Sequence, residues 1–153
     1  MAVRLATSDD LDAMVARSNT VRRRQAELEP VFWRPAGEAD SSQRAWFALL
    51  LDDPSHRVLV STGGGPDLAG FVIARAMEAP PVYDPGGRTC LVDDLAWMEP
   101  EVADGLLAAV RSWAAEMGCV QLVVVTPAGD PERRALLERT GLHPTSEWWT
   151  GPV

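Results

Sequence analysis

Apolar side chains recur every three or four residues in four stretches of the chain, which predicts four helices. The predicted helices begin near Ser8, Ser41, Pro100 and Pro131. Polar capping residues or prolines open them, and the glycines Gly118 and Gly141 end the third and the fourth. In the second helix we expect Trp46 to face inward together with its apolar neighbours.

Shorter apolar runs predict strands between and after these helices. The predicted strands are 3–6, 57–62, 68–78, 89–97, 120–126 and a closing strand within 146–153. The sequence GGGPD at 63–67 predicts a hairpin turn, and the continuous apolar run at 120–126 predicts a strand buried on both faces. Hairpins followed by crossovers indicate an α/β (α+β) fold, with a mixed, mostly antiparallel sheet flanked by about four helices in a single domain, 1–153.

The net charge and the residue composition indicate which binding partners and which cellular location to expect. The formal net charge is −8 over 153 residues, which argues against nucleic acid and against anionic membranes. All 14 basic residues are Arg, which we attribute to a GC-rich, bacterial genome. The N-terminal MAVRLATSDD has no long apolar run, so we expect no signal peptide, and no apolar stretch is long enough to predict a membrane span. Cys90 and Cys119 are expected to be reduced core residues of a cytoplasmic protein rather than a disulfide or redox pair.

Four phrases, in order along nearly the whole chain, resemble the GNAT superfamily of acyl-CoA-dependent N-acetyltransferases. They are VRLATSDDLDAM, VDDLAW, LLAAVRSWAAEMGCVQLVVV and DPERRALLERTGLHPTSEW. The resemblance implies the GNAT fold and transfer of an acyl group from acetyl-CoA or another acyl-CoA to a small-molecule amine. It also implies that the fourth and fifth strands splay apart after Ala96, with the pantetheine arm of CoA in the gap. The implied cofactor-binding residues are Leu95, Ala96, Trp97, Gly105 and Asp130.

Two family features are absent. The family binds the CoA diphosphate on a basic, glycine-rich loop, and the turn here reads Met98-Glu99-Pro100-Glu101. Asp104 adds a further acid to the same helix start, where acids complement the helix dipole and repel a diphosphate. Leu137 stands where the family places its general-acid tyrosine. We therefore expect weak acetyl-CoA binding or none.

Two acids on the predicted fourth strand are the candidate catalytic residues. Asp93 and Asp94 are adjacent, so a regular strand would point them to opposite faces, and one would face the cleft. A cleft carboxylate could bind a cationic amine or relay a proton from it through water. The alternative is that one acid pairs with an arginine such as Arg75 while the other is solvated.

Tryptophans are the candidate substrate-pocket residues. The resemblance implies that Trp33, Trp46 and Trp148 wall an acceptor pocket suited to an apolar or cationic ligand. Ordinary core packing or a homodimer contact through the final strand are the alternatives.

Two hypotheses about function follow. The protein is a GNAT-like N-acyltransferase, or it is a degenerate GNAT-fold protein that acts as a small-ligand binder or a structural or regulatory dimer. His56, His143 and the two cysteines lack the spacing of a metal site, so we expect no metal.

Overall fold

A computed structural model describes residues 2–63 and 67–152 of the chain. One sheet carries five strands in the order β1-β2-β3-β4-β5. The strands are β1 Ala2–Leu5, β2 His56–Thr62, β3 Leu68–Met77, β4 Arg88–Trp97 and β5 Cys119–Val124. The first four pair antiparallel in succession, and β4 pairs parallel with β5. The predicted mixed, mostly antiparallel sheet is confirmed; the centre of the predicted hairpin turn, residues 64–66, lies outside the described residues.

Four α-helices flank the sheet, as predicted. They are α1 Leu11–Leu28, α2 Ala39–Leu51, α3 Pro100–Glu116 and α4 Pro131–Arg139, and a short 3-10 turn at Ser8–Asp10 precedes α1. Pro100 and Pro131 start α3 and α4, where the missing N–H of proline costs no helical hydrogen bond. None of the helices in the described residues is long and apolar enough to cross a membrane.

The sheet buries a core on each face. On one face α3 covers side chains such as Val72, Val92 and Leu95. On the other face α1 and α2 cover Phe71 and Ile73. Alternate residues of β3 supply the two cores, because successive side chains of a strand point to opposite faces.

The C-terminal part of the sheet differs from the prediction. The closing strand predicted within 146–153 is absent, since residues 143–152 carry no regular secondary structure. Consequently β5 is an edge strand, and the expectation that it is buried on both faces is wrong: Val120 is 54% exposed and Val123 is 37% exposed. Its inner face packs on the α3 core through Leu122 and Val124.

One side chain of α2, that of Trp46, points toward solvent instead of toward the core. Trp46 was expected to face inward and is 55% exposed, whereas its neighbour Phe47 is fully buried. Adjacent helical residues lie about 100° apart around the axis, so burial of Phe47 and Leu50 turns Trp46 toward solvent.

Candidate active site at the open end of β4

A gap opens between β4 and β5 because their pairing ends before β4 does. The last paired residues are Val92 and Val124, while β4 continues to Trp97. The gap therefore begins after Val92, four residues earlier than the predicted opening after Ala96. The remainder of β4 is held on its other side only, by β3.

The backbone of this free segment presents hydrogen-bonding groups to the gap. The Met98 N–H donates to the Ala69 carbonyl at 2.9 Å, one step beyond the Gly70–Trp97 pair of the β3–β4 register. In an antiparallel ladder the hydrogen-bonded pairs alternate with pairs whose backbone groups point away. Leu95 and Trp97 are the alternate residues, so their N–H and carbonyl groups turn from β3 toward the gap. An extended ligand that carries amides has a matching set of partners there.

A β-bulge places both acids on one face of the sheet. The register passes from Ile73–Asp94 to Ala74–Val92, which leaves Asp93 as an extra residue of β4. Asp94 is opposite Ile73 and so shares its face, that of α1 and α2. Asp93 reaches Arg75, two residues along β3 on the same face, with Nε and Oδ2 3.2 Å apart. The expectation that the two acids face opposite sides is therefore wrong, and the pairing of one acid with Arg75 is observed.

Asp94 has the more perturbed environment of the two acids. It is partly buried, and no ion-pair partner contacts it in the described part of the chain. Burial raises the pKa of Asp94 to about 6, with the neighbouring Asp93 charge adding to the rise and Arg133 and Arg22 opposing it. Burial also raises the pKa of Asp93, against the lowering effect of Arg75 and His56. A carboxyl with a pKa near 6 is ionised at neutral pH and still basic enough to accept a proton.

Arg133 of α4 lies across the gap and was not among the predicted site residues. Its Nη2 donates to the Leu95 carbonyl, and its guanidinium stacks on the Trp97 ring at 4.4 Å from the centroid. Burial lowers the pKa of Arg133, while nearby Asp130 and Asp94 oppose that effect. One sequence signal could have found it: Arg133 precedes the inward Leu136 and Leu137 by three and four residues, which puts it on the same helix face.

The remaining predicted cofactor-binding residues have structural roles in the fold. Leu95 and Ala96 are buried, one in each core. Gly105 lies inside α3. Asp130 caps α4, where its Oδ1 accepts from the Arg133 backbone N–H at 3.1 Å.

Three acids lie at the turn from β4 to α3, and the charge of one of them, Asp104, is offset by an arginine. Glu99 is the N-cap of α3 and its side chain makes no capping hydrogen bond. Asp104 is paired with Arg139 of α4, whose Nη2 lies 3.0 Å from both carboxylate oxygens. Glu99 and Glu101 therefore set the local charge at the α3 start.

Two of the three tryptophans predicted to wall an acceptor pocket, Trp33 and Trp148, lie in one aromatic cluster. Trp33 and Trp148 both lie against Phe32, with ring centroids at 4.8 and 6.2 Å and edge-on geometry. Phe32 was missed by the sequence interpretation, and Trp46 makes no ring contact in the described residues. Trp148 is 79% exposed, so this cluster lies at the surface rather than in the core.

Two surface pockets lie elsewhere, one beside His56 and Trp113 and the other beside Tyr83 and Arg88. No three His, Cys, Asp or Glu side chains lie together as a metal-ligand set within residues 2–63 and 67–152.

Comparison with solved structures identifies the architecture. The BH1408 protein of Bacillus halodurans, solved as a mutant, superposes with a TM-score of 0.87 at 14% identity, over 100% of this chain and 99% of that one. An aminoglycoside 6'-N-acetyltransferase from Acinetobacter haemolyticus superposes with a TM-score of 0.74 at 12% identity, over 100% and 99%. The chain has the GNAT fold.

A third GNAT structure was solved with a ligand. AAC(6')-Iy, in complex with the bisubstrate analogue CoA-S-monomethyl-acetylneamine, has a TM-score of 0.73 and 16% identity to this chain, over 99% and 97% of the two chains. The sequence matches no protein-family model and no curated protein. The GNAT fold of this chain thus rests on backbone geometry.

Proposed function

We propose that the protein is an N-acyltransferase that transfers an acyl group from an acyl-CoA to a small amine, with Asp94 as the proton acceptor. The observation that supports this proposal is the position of Asp94, at the free end of β4 on the face of α1 and α2. The ammonium of an acceptor must lose a proton before its nitrogen can attack a thioester carbonyl. The unpaired, partly buried carboxylate of Asp94 is suited to accept that proton and to attract the cation beforehand.

The backbone of β4 would supply the donor site. In this proposal the amide groups of the pantetheine arm pair with the outward-facing backbone groups of Leu95 and Trp97. A backbone N–H at the same edge would polarise the thioester carbonyl. We assign Asp93 a positioning role, because its ion pair with Arg75 already uses its charge.

The absence of a general-acid tyrosine does not prevent this reaction. Leu137 packs against the α3 core and cannot donate a proton. The departing thiolate is nonetheless a weak base, since thiols have pKa values of about 8.5, and water can protonate it. We expect a slower reaction rather than a different one.

A specific observation favours a second candidate, a GNAT-fold protein that binds a small ligand without acyl transfer. Glu99 and Glu101 occupy the helix start where the resemblance places the CoA diphosphate, and Arg133 fills the gap. Such a protein would use the cluster of Phe32, Trp33 and Trp148 to hold an apolar or cationic molecule.

Release of free thiol from acetyl-CoA in the presence of amine panels tests the first proposal. The panel should contain polyamines, amino acids and aminoglycosides, each at millimolar concentration. Amine-dependent thiol release that disappears in Asp94→Asn supports it. Absence of any amine-dependent release, together with tight binding of an amine by calorimetry, would instead support the binding protein.

A further inference from the structure

Arg133 occupies the place that a donor arm needs on β4. The Leu95 carbonyl points into the gap and accepts a hydrogen bond from the Arg133 Nη2. The guanidinium also covers the Trp97 ring at 4.4 Å. Leu95 and Trp97, the two residues whose backbone groups face the gap, are therefore both in contact with one side chain.

Several contacts hold Arg133 in this position. The N-cap Asp130 fixes the first turn of α4 by accepting from the Arg133 backbone N–H at 3.1 Å. Leu136 is 3% exposed and Leu137 packs on the α3 core, so they anchor the same helix face. The nearby charges of Asp130, Asp94 and Glu132 oppose the lowering of the Arg133 pKa by burial, so they favour the charged guanidinium at this position. Its neighbour Arg134 points outward and pairs with Glu138 at 2.9 Å.

A ligand arm and Arg133 therefore compete for the same acceptor. An extended arm that reaches the Leu95 carbonyl meets the guanidinium there, because Arg133 donates to that carbonyl and covers the Trp97 ring beside it. A charge-assisted bond from arginine is stronger than a neutral amide bond. Displacement also removes the stacking on Trp97.

We propose that Arg133 is a specificity-determining latch, which closes the gap between β4 and β5 and sets how tightly a pantetheine arm binds. This proposal rests on the proposed function, in that it takes the arm of an acyl-CoA as the entering ligand. The latch admits a donor only when the rest of the ligand compensates for the contacts that Arg133 gives up.

Calorimetric binding of reduced pantetheine, an uncharged probe, tests the latch. Arg133→Met keeps an apolar chain over Trp97 and loses the donor, and we expect it to bind pantetheine about tenfold or more tightly than the native protein. Arg133→Gln has a shorter, polar side chain and should also bind pantetheine more tightly than the native protein. It replaces the methionine variant in this test if that variant does not fold. Arg134→Met is the matched control and should bind as the native protein does.

Coenzyme A provides the second arm of the experiment. A latch predicts that Arg133→Met gains affinity for CoA as well. If CoA binding falls while pantetheine binding is unchanged, Arg133 is a diphosphate ligand and the latch is wrong. Unchanged, weaker or undetectable pantetheine binding in both Arg133 variants would also overturn it. The readout is independent of turnover, so a gain in binding without acyl transfer would keep the latch and reject the proposed reaction.

Discussion

Val92 and Leu95 point into the same core although they are three residues apart on one strand. In a regular strand an odd separation puts side chains on opposite faces, so β4 must contain an extra residue between them. That residue is Asp93, and the bulge turns both it and Asp94 toward α1 and α2. The chemistry proposed for this protein depends on this irregularity, because it brings two carboxyls to one face beside the gap.

Replacement of the two acids should have unequal effects on acyl transfer. Asp94→Asn should lower kcat/KM by about 10²- to 10⁴-fold, the usual contribution of a positioned general base. Asp93→Asn should lower it by less, since Asp93 acts through position and charge. In the native protein kcat/KM should rise with pH through the Asp94 pKa of about 6, and the asparagine variant should lack that inflection. Equal, small effects of both substitutions would remove Asp94 from the mechanism.

The raised pKa of Asp94 also predicts how stability changes with pH. The folded state holds a proton on Asp94 up to about pH 6, whereas the unfolded chain releases it near 3.8. The folded state therefore binds more protons in this window, so the free energy of unfolding falls as pH rises, by about 1–3 kcal/mol from this group. Asp94→Asn should remove that loss and be more stable than the native protein at pH 8 by urea unfolding. A native-like pH dependence in the variant would contradict the assignment.

The helices and the central strands could be predicted from residue patterns because their burial follows local periodicity. The bulge could not, since Asp93 and Asp94 are both polar and either register fits the flanking apolar residues. The burial of β5 was predicted from its run of valines, but burial depends on a partner strand, and 143–152 does not provide one. The helix face that carries Arg133 could be predicted from the sequence. Its hydrogen bond to the Leu95 carbonyl could not, because that contact depends on how α4 packs against β4.

Gly70 fixes the spacing between β3 and β4 beside the gap. A Cβ added there would lie 2.6 Å from the Ala96 carbonyl oxygen and 2.7 Å from a methyl of Val102. Gly70→Ala must push the strands apart or shift α3, which costs about 1–3 kcal/mol by the usual cost of overpacking. Gly37→Ala is the control, because its added Cβ meets nothing within 4 Å. Urea unfolding of both variants measures the difference, and equal stabilities would mean that the strands tolerate the separation.

Asp10 joins the first strand to the first helix through a partly buried ion pair with Arg4. Its carboxylate accepts from the two terminal nitrogens of the Arg4 guanidinium, at 2.7 and 2.8 Å, and from the Thr7 backbone N–H at 2.8 Å. The Arg4 hydrogen bonds hold the pKa of Asp10 below its usual value. Asp10→Asn should therefore cost about 2–3 kcal/mol at neutral pH, since charged hydrogen bonds are lost.

The same pKa shift sets the pH range of that stabilisation. A lowered folded-state pKa means that the contribution is complete above the ordinary aspartate value and is lost as pH falls through the folded value. The native protein and Asp10→Asn should converge in stability in acid. Asp12→Asn is the control, because Asp12 pairs with Arg44 at 2.6 Å but is 82% exposed, where ion pairs contribute little. A similar loss in both variants would show that helix-start charge, and not the Arg4 pair, stabilises this end.

The turn from β4 to α3 predicts an unusual preference between CoA and its fragment. The native protein should bind pantetheine almost as tightly as intact CoA, because no basic loop is present to bind the diphosphate. Glu99 and Glu101 oppose diphosphate binding further, each by about 1–3 kcal/mol at 6 Å and an effective dielectric of 20, before screening by salt.

The variant Glu99→Gln, Glu101→Gln should bind CoA about tenfold more tightly at low salt, with a smaller gain at high salt and no gain for pantetheine. Asp104→Asn should have little effect, because Arg139 already offsets that charge. Calorimetry with both ligands at two salt concentrations separates these terms. Tight CoA binding by the native protein, with weak pantetheine binding, would show that another group holds the diphosphate.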